Sequence, residues 1–341
     1  MKNTTLKFCN ETIHPGEMLS LALPLPQLFS CAPLYMPIKL LHGKVSGPCI
    51  LIIAAMYGNE INGTEIIHRL LSLPAIAKLK GTLIAIPVLN VHGLINRSRF
   101  LPGGINLNSH FPGNEHGTNV ERLANIFVTE IFNKADVCIN LQTGPVNCTN
   151  LPMVQFHSND EKTMELAQAF NAPVMVKSEF DSGSLEELSN EKAKPFLTYL
   201  GGEAMRFDQR AIKVGVEGIL NIMRKTGMLP EKITKSVKVT QSVLADNLMW
   251  VSASSSGTNH TKQKLGQPVK KGDLLCTIKD PFGTADNVTL CSPKEGIIVG
   301  QSNTPLAHEG DGLFQIAVFP EVHQVADHLE QWHQEQTVAN G

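Results

Sequence analysis

The alternation of apolar and polar positions changes period sharply after Cys49. Ile50 to Ala55 is an unbroken apolar run, the pattern of a strand buried on both faces. The chain turns at Tyr57-Gly58-Asn59-Glu60. Ile61, Thr64, Glu65, Ile67, His68 and Leu71 then recur at spacings of three and four, which predicts a helix over 61–73, stopped by Pro74. In an open α/β sheet, a strand end facing a helix start is where ligands bind. Chemistry is therefore expected around Tyr57 to Glu60.

The same alternation repeats downstream. Residues 81–90 read as a second buried strand. Val120, Leu123, Ala124, Phe127, Val128, Ile131 and Phe132 make the apolar face of a helix over 119–133, and residues 135–141 form a strand ending in Gln142-Thr143-Gly144. A short helix over 161–169, a strand over 173–177, a helical turn over 184–188 and a strand and turn over 194–203 follow. Asp208 is placed to cap a helix over 209–224. Upstream, residues 36–43 and the turn Ser46-Gly47-Pro48 predict a hairpin leading into the Ile50 strand. From Leu248 to Phe319 the pattern becomes short strands with many Gly turns. The expected fold is α/β, a mixed sheet flanked by helices, with a small C-terminal all-β unit. The expected divisions are a β segment over 1–44, an α/β domain over 45–245, a β-rich domain over 246–320 and a polar tail over 321–341, which includes His328 and His333.

Composition narrows the partners. The 341 residues suffice for a sizeable core. Lys plus Arg number 29 and Asp plus Glu 31, a formal charge of −2 with no basic block, so nucleic acid and anionic membrane are not expected partners. No apolar run reaches the roughly 18 residues of a spanning helix, and no signal-peptide pattern opens the chain. The cysteines (Cys9, Cys31, Cys49, Cys138, Cys148, Cys276, Cys291) are odd in number and form no CxxC pair. That fits reduced, mostly buried thiols in a cytoplasm, with no thiol in a nucleophile elbow.

Four motifs carry a resemblance. Tyr57-Gly58-Asn59-Glu60 closes the first buried strand. A Pro-x-x-Asn run, Pro87 to Asn90, closes the second. The irregular loop 97–113 holds Arg99, Asn106-Leu107-Asn108-Ser109 and Phe111-Pro112-Gly113, and the next strand ends in Asn140-Leu141-Gln142-Thr143-Gly144. In this order they resemble the succinylglutamate desuccinylase/aspartoacylase family, zinc amidohydrolases related to the carboxypeptidases, over residues 36–320. The resemblance implies a zinc-carboxypeptidase-like sheet. It also implies hydrolysis of the amide bond of a small N-acylated amino acid. Residues 265–278, with the turns after them, resemble a biotinyl/lipoyl-like hammerhead. No lysine stands in a swinging-arm motif there; Lys294, in a turn, is the one candidate for attachment.

Carried over position by position, the resemblance implies Glu60 as a zinc ligand, with Tyr57 and Gln142 standing where the family has two ligand histidines. Arg99 falls on the residue that polarises the scissile carbonyl. Asn108 and Ser109 fall on the substrate-carboxylate clamp, where Ser109 replaces a second Arg, and Asn106 replaces an Asp. The general base, a Glu two residues before a Gly, falls on Leu200, or on Tyr199 if one residue is gapped. Glu203 is a weak substitute, more simply read as a solvated turn carboxylate. Replacement ligands are conceivable from His68, His110 or His157. A phenol with a free pKa near 10 and a neutral amide are poor zinc donors. The expected metal site is degenerate, and activity is weak or lost. Three functions remain open. One is a deacylase, another a pseudoenzyme binding a carboxylate ligand or partner through Arg99 and Asn108, and the third a structural subunit. Homo-oligomerisation is left open.

Overall fold

A computed structural model describes residues 1–26, 33–157, 160–231 and 242–320, with Val322 and Val325. The chain runs β1 (Leu6–Phe8), β2 (Glu11–Ile13), β3 (Met18–Pro24), β4 (Tyr35–His42), β5 (Cys49–Ala54), α1 (Asn62–Leu71), β6 (Thr82–Ile86), α2 (Val91–Ile95) and α3 (Asn119–Glu130). It continues through β7 (Val137–Gly144), β8 (Cys148–Phe156), α4 (Glu161–Phe170), β9 (Val174–Lys177), α5 (Leu185–Glu191), β10 (Phe196–Glu203) and α6 (Gln209–Lys225). The C-terminal strands are β11 (Val243–Ala245), β12 (Asn247–Ser252), β13 (Gly257–Thr261), β14 (Pro268–Val269), β15 (Leu274–Lys279), β16 (Val288–Cys291), β17 (Gly296–Ser302), β18 (Leu306–Ala307) and β19 (Gly312–Val318).

The predicted helices form where the apolar period placed them, and their caps follow local chemistry. Asp208 accepts from the N–H groups of Arg210 and Ala211, Ser184 from Glu187, and Thr118 and Glu121 make a reciprocal capping box. The central strands β10, β7, β5 and β6 lie side by side and parallel, with β8 and β4 antiparallel beside β10 and β6. Helices α1, α4 and α6 cover one face through Ile66, Ile67, Phe170, Ile212 and Ile219. The other face carries α3 and α5 through Leu123, Phe127, Leu185 and Leu188. Burial on both faces is why β5 and β6 read as continuous apolar runs.

Two features depart from the expectation. First, β4 and β5 are not a hairpin: β6 lies between them, antiparallel to β4 and parallel to β5. Every residue of β6 is buried, so this strand takes the central place and pushes β4 outward. Second, β8 carried no clear strand pattern, because Pro152 and the polar Thr149, Asn150 and Gln155 interrupt its apolar run. It is nonetheless inserted between β10 and β9. Its pairing with β10 shifts register between Leu200 and Gly202, opposite Pro152, the kind of irregularity that tolerates a missing N–H donor.

The C-terminal strands are continuous with this sheet rather than set apart from it. β17 pairs with β8 at Gly300–Asn150, and β12, β19 and β17 extend the sheet. A second sheet, β16-β15-β13-β18, packs over them around Val251, Leu275, Ile278, Phe314 and Ile316. Lys294 sits exposed in the turn between β16 and β17. Most of the polar linker, residues 232–241, and nearly all of the polar tail, with His328 and His333, lie outside the described residues.

Glu203 is the cross-tie between the two parts. Its carboxylate accepts from the Asn147 N–H (3.1 Å), Thr149 Oγ1 (3.1 Å), Asn303 Nδ2 (3.0 Å) and Arg206 Nε (3.1 Å). It is a buried acceptor, not a solvated turn carboxylate. Glu203→Ala should cost about 1–3 kcal/mol, because three part-buried hydrogen bonds lose their charged acceptor, while exposed Arg206 adds little. Chemical denaturation would read this; a loss below about 0.5 kcal/mol would show that water replaces the carboxylate. Gly63 sets how closely α1 approaches the sheet: a Cβ there would lie 2.7 Å from Ala54 Cβ and 2.8 Å from Leu141 Cβ. Gly63→Ala gains about 1 kcal/mol of helix propensity but overpacks by about 1–3 kcal/mol. The expected result is a Tm lower by a few degrees, and a raised Tm would mean that α1 can lift off the strands.

Candidate functional site

The site lies where β5, β7 and β10 end together. After β5 the backbone turns through Ala55, at φ +48°, to Tyr57 and Glu60, and the Glu60 N–H donates to the Tyr57 carbonyl at 2.9 Å. Gly58 in this turn rests on the α2 backbone; a Cβ there would lie 2.1 Å from the Gly93 carbonyl carbon. No side chain fits, so glycine is the residue that lets the turn close against α2. On the far side, Asn62 bonds both the Gly201 carbonyl (3.1 Å) and the Asp208 N–H (3.1 Å), tying the start of α1 to the end of β10.

Glu60 is buried beneath this turn, and both of its oxygens are taken. Arg99 Nη1 donates to Oε1 at 2.8 Å, and the Thr143 N–H donates to Oε2 at 2.8 Å. The Glu60 side chain is 1% exposed and that of Arg99 34%, so the pair spans from the interior to the surface. Burial pushes the Glu60 carboxyl up, while Arg99 and the Thr143 N–H, each donating to one of its oxygens, favour the ionised form. The Arg99 guanidinium carbon lies 3.5 Å from the centre of the Tyr57 ring, a cation–π stack. Burial raises the Tyr57 phenol above its ordinary value, with Arg99 pulling it down, so Tyr57 is a neutral phenol at neutral pH.

Asn108 sits in the 3₁₀ turn Leu107–Ser109. Its Oδ1 accepts from the Leu185 N–H at 3.1 Å, and its Nδ2 donates to Glu186 Oε2 at 2.9 Å. Thr198 Oγ1 donates to the other Glu186 oxygen at 3.3 Å, and the Asn108 amide lies beside the Tyr57 phenol. A continuous line of contacts therefore runs from α5 through Glu186, Asn108, Tyr57, Arg99 and Glu60 to the Thr143 backbone. Beside it Asn140, fully buried between Ile53 and Thr198, has neither amide atom paired among the described residues. Ser109 points its hydroxyl back at the Asn106 carbonyl at 3.0 Å, and the Asn106 side chain accepts from the Asn108 N–H at 3.1 Å.

The structure brings Tyr57, Glu60, Arg99 and Asn108 together and places Gln142, half-buried, one residue before Thr143. Of the positions read as the base, Leu200 lies cross-strand from Gln142 but is apolar, and Tyr199 and Glu203 are engaged elsewhere. Tyr199 points to the helix side, its ring stacked on Phe170 and its hydroxyl donating to the Ala211 carbonyl at 2.6 Å. Leu200 packs against the cluster of Leu151, Met153 and Val299. Glu203 is held by the four donors described above. Of the candidate replacement ligands, His68 is exposed on α1, His110 donates to the Asn106 carbonyl and His157 donates to the Ser178 carbonyl. Burial pushes the thiols of Cys49 and Cys148 up to about 12 and about 11, away from nucleophile range. Glu186 and Asn62 carry no local signal in the sequence, and Asn140 is marked there only as the first residue of the motif that ends β7.

The zinc that the resemblance implies does not fit these residues. A carboxylate with both oxygens already bonded, a neutral phenol and a carboxamide do not make the three-donor set of a catalytic zinc. A guanidinium already lies against the carboxylate. Among the described residues, no three His, Cys, Asp or Glu side chains cluster as metal donors.

Comparisons with known proteins agree with the fold. The N-alpha-acetyl-L-2,4-diaminobutyric acid deacetylase of Halomonas elongata is 25% identical over 283 residues, covering 80% of this chain and 82% of that protein. The product-bound ectoine utilization protein EutE (DoeB) from Ruegeria pomeroyi superposes with a TM-score of 0.79 at 24% identity, over 94% of this chain and 100% of that one. The succinylglutamate desuccinylase/aspartoacylase from Rhodobacter sphaeroides superposes with a TM-score of 0.78 at 20% identity, over 89% and 96%. The succinylglutamate desuccinylase/aspartoacylase catalytic-domain family model matches residues 46–226, which include every strand end and turn of the site, and the chain belongs to that family.

Proposed function

We propose that this chain recognises a small N-acylated amino acid, or a related carboxylate, through Arg99, on a deacylase scaffold whose zinc-dependent hydrolysis is weak or lost. The family acts on N-acyl amino acids and is generally zinc-dependent, which supports the ligand class. The observation that carries the departure is the state of Glu60. Its two oxygens are occupied by Arg99 and the Thr143 N–H, between a phenol and an amide. Nothing in that set lowers the pKa of a bound water, and the two positions that match the family base are a leucine and a core tyrosine.

Arg99 keeps N–H donors beyond the one given to Glu60, on a side chain a third exposed. A guanidinium edge of this kind suits a carboxylate or an amide carbonyl. Asn108 serves the site indirectly: its amide is committed to α5, which fixes it beside the Tyr57 phenol.

A second reading, retained hydrolysis, is favoured by one observation. Glu60 and Arg99 stand together at the end of β5 in a chain whose curated relative is named a deacetylase. One experiment separates the two. The purified chain would be titrated with N-acetyl amino acids by calorimetry, with and without EDTA, while free amine is assayed with added zinc. The expected result is EDTA-insensitive binding without amine release, and an affinity about 10–100-fold weaker in Arg99→Met, the worth of one or two charged hydrogen bonds. Zinc-stimulated amine release that disappears in Glu60→Gln would establish hydrolysis instead.

A further inference from the structure

We infer that the Arg99 guanidinium, stacked on Tyr57, stands where a divalent cation would approach Glu60, so that the site is built around a fixed organic cation and refuses a metal ion. This rests on reading the site as metal-independent, but its test does not require a ligand.

The geometry points this way from three sides. A metal bound by Glu60 would sit about 2 Å from a carboxylate oxygen. Arg99 Nη1 already donates to Oε1 at 2.8 Å, and the Thr143 N–H covers Oε2 at 2.8 Å. An incoming dication would meet a permanent like charge within about 4 Å, in surroundings that screen poorly. Arg99 cannot relieve this by losing its proton.

Tyr57 makes the arrangement persistent. Its ring lies under the guanidinium at 3.5 Å, beside Asn108, which is itself bonded to Glu186 and to the Leu185 N–H. The phenol is therefore not an idle remnant of a ligand position. It is a positioning residue that holds Arg99 on Glu60 and turns its remaining N–H edge outward. Glu60 has one cation, Asn106, Asn140 and Gln142 are neutral amides, and Glu186 is bonded to Asn108 and Thr198 on the far side of Tyr57. Glu186, the carboxylate that no salt bridge meets among the described residues, already accepts at both of its oxygens.

The test is zinc titration of the full chain against a chromogenic chelator, with bound metal counted per chain. The wild type and Tyr57→Phe, which keeps the stack, should take up no zinc more tightly than about 100 μM. Tyr57→His should gain little while Arg99 remains on Glu60. Combining Tyr57→His with Arg99→Gln should tighten uptake at least tenfold, and adding Glu60→Gln should abolish that gain. One zinc per wild-type chain, lost in Glu60→Gln, would overturn the inference. So would a double variant no better than Tyr57→His alone. If the double variant is unfolded by circular dichroism, Tyr57→His with Arg99→Met replaces it: zinc must raise its Tm and leave those of the wild type and of Tyr57→His unchanged. Failure of N-acetyl amino acids to bind would remove the proposed function and leave these readouts standing.

Discussion

The structure is organised around one buried carboxylate that must be answered by a charge. Glu60 lies at the meeting point of β5 and β7, out of reach of water. An unanswered carboxylate there would be expensive or would protonate. Arg99 reaches in from the surface loop and the Thr143 N–H comes from the end of β7, so two otherwise independent segments are registered on one side chain. The loop 97–113 is irregular. Its position is nevertheless determined, because Arg99 is tied to Glu60 at one end and Asn108 to α5 at the other.

The scaffold supplies the precision that such a pair needs. Four parallel strands, buried on both faces, deliver their carboxyl ends to one edge, and small residues at Gly58 and Gly63 bring the turn and α1 close to their neighbours. None of these requirements depends on zinc chemistry. A fold stabilised by apolar burial on two faces can keep its shape while the polar residues at its edge change, which is how family membership and a changed site coexist here. The C-terminal strands are part of the same construction, since β17 pairs directly with β8 and Asn303 donates to Glu203 at the end of β10.

Much of the fold was legible along the chain, and the exceptions have physical reasons. The buried strands, the helices α1, α3 and α6 and the caps at Asp208 and Ser184 rest on local period and local hydrogen bonding, which the chain itself carries. Strand β8 was hidden because Pro152 and its polar residues are tolerated only by the specific neighbours it has. The hairpin between β4 and β5 was misread because adjacency in sequence does not say whether a third strand, β6, will come between. Glu203 looked like a solvated turn residue because its donors, Asn147, Thr149 and Asn303, come from other strands and turns.

The amino-acid sequence by itself determined the α/β alternation, the family and the chemical identity of the side chains at 57, 60, 99 and 142, because these follow from period, motif order and residue type. It also placed a phenol and an amide at the two positions where the resemblance implies imidazoles. Only the tertiary structure decided that Arg99 turns inward onto Glu60 over the Tyr57 ring, that Asn108 is spent on α5, and that Tyr199 faces the core. Each of those outcomes depends on which distant segment supplies the nearest charge, donor or apolar surface, and spacing along the chain does not encode that distance.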